Sequence, residues 1–125
     1  MFKIDSDLTI HVTRGDAIIF SVSAVTDGDI NYTFQVGDLI RLKVFERKAC
    51  HSVALQKDIY VTEESETVSV FLSGEDTKIG EYISKPKDYW YEVELNSETA
   101  PQTIIGYDED GGKVFRLYPE GGDIE

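Results

Sequence analysis

Two stretches decide the fold: TRGDAIIFSV, Thr13 to Val22, and VGDLIRLKVF, Val36 to Phe45. In each, a Gly-Asp pair stands just before a run of alternating apolar residues. These are Ile18, Phe20 and Val22 in the first stretch and Ile40, Leu42 and Val44 in the second. Alternation of period two marks a strand with one buried face. The glycine supplies the backbone freedom of a tight turn, and the short carboxylate can accept from nearby backbone N–H groups. Only the first copy carries an arginine. Arg14-Gly15-Asp16 therefore reads as turn chemistry at a strand start, not as a tripeptide for a receptor. Arg14 is expected to be dispensable for folding, and Gly15 to hold a positive φ.

The same alternation recurs along the chain, and helical spacing hardly at all. Leu8, Ile10 and Val12 form a candidate strand, and Ile18 to Ala24 a second, closed by the turn-rich TDGDIN. Further strands run through Ile40–Val44, VALQKDIYV, Val68–Leu72 and Tyr89–Leu95. TIIGY and KVFRLY flank YDEDGGK, which reads as the exposed turn of a hairpin. SGEDTKIGEYIS breaks the rhythm and predicts a short helical turn capped by Ser73 or Asp76. NSETAP reads as a loop, and residues 119–125 as a polar tail. No linker divides residues 1–125, so one domain is expected. Seven or eight short strands predict an all-β fold, an immunoglobulin-like antiparallel β-sandwich, with a small barrel as the alternative. The Cys-Trp-Cys signature of true immunoglobulin domains is absent.

Charge and composition narrow the partners. The 125 residues carry a net charge of −12, which repels phosphate backbones, so neither nucleic acid nor an anionic membrane is an expected partner. No apolar run approaches the ~20 residues that cross a bilayer, and MFKIDSDLT is no signal peptide. Synthesis in a cytoplasm is the expectation. The single cysteine, Cys50, has no partner for an internal disulfide, and adjacent Cys50 and His51 point to opposite faces of a strand.

A search for chemistry returns no active site. His11, between Ile10 and Val12, should point away from their face as a surface histidine. Asp27, Asp29 and Asn31 open a calcium-loop pattern that fails at Tyr32 and Asp38. Asp108, Glu109 and Asp110 read as a solvated loop tip. No zinc spacing and no phosphate-cradling glycine loop is found. The expectation is a non-enzymatic protein with no cofactor, no metal and no catalytic residue. The aromatic residues carry more information. In DYWYEVEL, Tyr89, Tyr91, Val93 and Leu95 face inward, leaving Trp90, Glu92 and Glu94 on the other face. Phe45 and Phe71 also fall out of phase with their strands. Trp90, Phe45 and Phe71 are the candidate interface residues.

Four segments carry a resemblance: TRGDAIIFSV, VGDLIRLKVF, the EDTK segment Glu75 to Lys78, and YWYEVEL. Across roughly Leu8 to Pro119 the chain resembles the immunoglobulin-like N-terminal domain of upper baseplate proteins in tailed phages of Gram-positive bacteria. The resemblance implies a prophage-encoded structural module that docks onto a tail or baseplate protein and resides in the virion tail. It brings no catalytic residues. The alternative is a carbohydrate-binding module that stacks glycan rings on Trp90 and nearby tyrosines.

Overall fold

The computed structural model describes residues 1–26, 30–47, 51–96, 98–107 and 111–120. In chain order the elements are β1 (Phe2–Ile4), β2 (Ile10–Thr13), β3 (Ile18–Val22), β4 (Val25–Thr26), β5 (Ile30–Asn31) and β6 (Leu39–Arg47). Then follow β7 (His51–Tyr60), β8 (Val68–Leu72), α1 (Gly74–Thr77), β9 (Lys87–Leu95), β10 (Gln102–Ile105) and β11 (Lys113–Tyr118). The eight strands of four or more residues are those the alternation predicts. The short β1, β4 and β5 are additions.

The strands form a β-sandwich. One sheet has the order β1-β2-β11-β9-β6-β7, with β10 also on β9; facing it is the pair β3-β8, and β4-β5 form a small ladder. Taken in chain order, β3 and β8 hold the B and E positions of an immunoglobulin-like sandwich, and β7-β6-β9-β11 the C′, C, F and G positions. Among the described pairs only β11 and β2 run parallel, Phe115 lying opposite Ile10 and Leu117 opposite Val12. The core is built from the in-phase residues of both sheets. Ile18, Phe20 and Val22 meet Val68, Val70 and Leu72 on one side, and Ile40, Leu42, Val44, Tyr89, Tyr91 and Val93 on the other.

The two Gly-Asp motifs are the same turn. The Asp16 N–H donates to the Thr13 carbonyl and the Asp38 N–H to the Gln35 carbonyl, both at 3.0 Å. Gly15 has φ +92° and Gly37 φ +95°. Positive φ at the third residue defines a type II turn, which glycine adopts at least cost. The Asp38 carboxylate then accepts from the Gln35 N–H, the Tyr32 hydroxyl and the Asn96 amide. Burial alone would raise its pKa, but these three donors hold it below the usual carboxylate range.

Arg14 makes long-range contacts that the sequence expectation of a dispensable residue does not include. Its guanidinium donates to the Glu120 carboxylate and the Gly80 carbonyl, both at 2.8 Å. The side chain is only 13% exposed. It ties the β2–β3 turn to the loop after α1 and to the residue following Pro119, so the expected polar tail is anchored at its first residues. Residues 121–125 lie outside the described part. Beside this knot Ser73 caps α1 as predicted: its Oγ accepts from the Asp76 N–H, and the Asp76 carboxylate accepts from the Ser73 N–H. Asp76 also receives Lys57 Nζ at 3.0 Å.

A correction concerns YDEDGGK. Among the described residues β10 and β11 do not pair with each other as hairpin arms; both lie antiparallel on the same edge of β9. Ile105 stands opposite Val93 and Lys113 opposite Tyr91. Residues 106–112 therefore intervene on one side, against Glu92 alone on the other. Glycines and acids favour a chain excursion into water whether the strands fold back or continue, so composition could not separate the two. Asp108, Glu109 and Asp110 lie outside the described residues, as do Asp27, Asp29 and Cys50. No helix among the described residues is long and apolar enough to cross a membrane.

Candidate interaction face

The outward face of the large sheet carries the candidate site. Directly opposed residues on neighbouring strands share a face, with Cβ atoms about 5 Å apart. Val53 on β7 opposes Phe45 on β6, Phe45 opposes Trp90 on β9, and Trp90 opposes Val114 on β11. Four strands thus contribute one apolar row. Phe45 is 4% exposed although it points away from the core, because Val53 and Trp90 flank it; Val53 is 53% exposed and Trp90 half-buried. A bulge between Val44 and Phe45 brings Val53, rather than Ala54, opposite Phe45.

Charged rows border this strip. On one side Lys43 opposes Glu92 and Arg41 opposes Glu94. Arg41 holds Asp58 with both nitrogens of its fork, at 2.8 and 3.0 Å, and that contact lowers the Asp58 pKa against partial burial. On the other side Arg116 holds Asp88 at 2.7 Å. Glu92 and Glu94 are two residues apart on one strand and so crowd each other. Burial first, then the Glu94 charge, lifts the Glu92 carboxyl above its usual range against the pull of Lys43. Glu94 Oε1 is shut off from water and lacks a directed hydrogen bond. Lys43 Nζ lies 3.0 Å from it, so the contact is an ion pair without hydrogen-bond alignment.

The sequence-derived trio divides. Trp90 and Phe45 are neighbours, whereas Phe71 lies on the outward face of the opposite sheet, 51% exposed and facing Ile19 across β3-β8. Val53, Val114 and Lys43 complete the face but carry no sequence signal, since cross-strand register is not visible in alternation. His11 also differs from expectation. It points outward, yet it is 6% exposed, with Nε2 2.8 Å from Asp5 Oδ2 and Nδ1 2.8 Å from the Tyr118 hydroxyl. The β1–β2 turn folds Asp5 over it, and β11 supplies Tyr118. An ionised Asp5, its pKa lowered chiefly by this bond, can only accept, so Nε2 is the donor in that contact. The chain Asp5–His11–Tyr118 fastens the β1–β2 turn to the last strand.

Among the described residues no three His, Cys, Asp or Glu side chains converge as a metal site requires. Comparison with known protein families, with curated proteins and with solved structures returns no match for this chain.

Proposed function

We propose that this domain is a non-enzymatic interaction module that docks through Val53, Trp90 and Val114, the row that closes over the buried Phe45. The observation that carries the reading is an apolar strip crossing four strands of the sheet face and bordered on both sides by rows that carry charge. A strip rimmed by polar groups has the anatomy of a protein contact, with a half-buried tryptophan as its anchor. Glu92 and Glu94 discourage indiscriminate apolar association and favour a partner that brings Lys or Arg to this edge. The resemblance of the sequence to phage baseplate domains supports a tail or baseplate protein as that partner, and residence in a virion tail.

The test is a pull-down and titration against products of neighbouring genes, with a glycan panel run in parallel. Trp90→Ala should weaken protein binding by about 2 kcal/mol or more, with a smaller effect on melting. Glycan binding that disappears in Trp90→Ala, with no protein partner captured, would replace this reading by a carbohydrate-binding one.

A further inference from the structure

Among the described residues the sandwich is open beside β10. A cleft of about 670 Å³ lies between residues 23–25, where β3 runs into β4, and Gln102, Thr103 and Ile104 of β10, with Leu95 and Tyr32 between them. Successive residues of a strand point to opposite faces. A cleft lined by three consecutive residues on each wall therefore runs along backbone edges rather than across a sheet face. β10 pairs with β9 on one edge only; among the described residues no strand occupies its other edge. The parallel strand β2, which covers the same side of β11, reaches only Phe115 to Tyr118. It leaves the part of that edge belonging to β10 uncovered.

From these observations we infer that the cleft is a slot for an extended strand donated by another protein, separate from the Trp90 face. The free N–H and C=O groups of β10 supply the main-chain ladder, as in strand addition to an exposed sheet edge. Side chains at alternate positions of the incoming strand enter between the sheets against Leu95, Ile104 and Ala24, which already pack at the margin of the core. The lining contains no charged residue, although 29% of the chain is charged and the net charge is −12. The occupant is accordingly an uncharged stretch with apolar or β-branched residues at alternate positions, and basic residues outside the slot match the surrounding field. Within β10 itself, Gln102–Ile105, there is neither proline nor lysine to block an added strand, Pro101 standing just before it.

The probe is a blocked peptide, acetyl-Lys-Val-Thr-Val-Thr-Val-Lys-amide, titrated into isotopically labelled protein and followed by amide NMR. Expected are saturable shifts at residues 23–25 and 102–105, with slowed amide exchange in β10. Replacing the central valine of the peptide by proline removes a ladder donor and should abolish binding. Ser23→Trp fills the slot and should weaken binding at least about tenfold. Val25→Arg, at a site 63% exposed, places a charge there with less risk to folding and should act alike; Trp90→Ala should leave peptide binding unchanged. Shifts confined to the Trp90 row, equal binding of the proline peptide, or no shifts would each overturn the inference. So would β10 amides already protected by self-association without peptide.

Discussion

Replacing Arg14 by alanine separates the two readings of TRGD most sharply. The guanidinium donates through Nη1 to Glu120 and through Nη2 to the Gly80 carbonyl, both at 2.8 Å, and through Nε to the Ile79 carbonyl at 3.4 Å. A hydrogen bond to a charged group contributes about 1.5–3 kcal/mol when nothing replaces it. Gly80 is exposed and Glu120 half-buried, so water takes over part of both contacts, and about half of each value survives. The two short contacts then amount to about 2 kcal/mol, the 3.4 Å contact adding little. For 125 residues, an unfolding entropy of about 2.1 cal/mol/K per residue converts this into a Tm lower by about 8 °C. Thermal melts followed by circular dichroism measure it directly. Arg14→Lys keeps the charge but not the planar fork and should recover less than half of the loss. Glu120→Gln, which spares the carbonyl contacts, should cost less than Arg14→Ala. An Arg14→Ala protein melting within about 2 °C of the parent would restore the dispensable arginine and refute the structural role.

Two further substitutions test the packing and the charge pattern. An ideal Cβ on Gly74 would lie 2.6 Å from the Gly15 carbonyl oxygen, whereas one on Gly37 meets nothing within 4 Å. Gly74→Ala must therefore shift backbone and should cost about 1–3 kcal/mol, while Gly37→Ala bears only the left-handed strain of about 1 kcal/mol; a reversed order in denaturant melts would refute this. The raised Glu92 pKa means that folding favours its protonated form. Its contribution is therefore fully present below the unfolded value of about 4.3 and is lost as pH rises through the folded one. Glu92→Gln should raise Tm at pH 7 and lose that advantage as pH falls to about 4; a lower Tm at pH 7 would show that the Lys43 attraction outweighs burial.

How much of this was legible depended on whether the signal was local. β3 and β8 read correctly because buried and exposed residues alternate strictly, IIFSV against VSVFL. The type II turns and the Ser73 cap were visible for the same reason, since each is chemistry among residues three apart. The contacts of Arg14 and His11 were not legible because their partners, Glu120 and Tyr118, lie at the far end of the chain. The β10–β11 junction was misread because a glycine-rich acidic loop looks the same whether its strands fold back or continue in line. At the candidate face, the outward phase of Trp90 and Phe45 was legible. Their adjacency was not, because it depends on the register of β6 against β9.

The parallel pairing of β2 with β11 fixes when the molecule can be completed. His11 and Tyr118, which join across it, are 107 positions apart, among the longest-range contacts a chain of this length can make. Loop closure on that scale is costly before any contact rewards it, so this seam should form late and slow the overall folding rate. During synthesis, at about 5–20 residues per second, the β2 edge that β11 will cover emerges several seconds before its partner. Through that interval it is an open strand beside Ile10 and Val12, residues that end fully buried. The nascent chain is then most exposed to mispairing, and a chaperone that holds the first hairpin would protect it where it is most vulnerable.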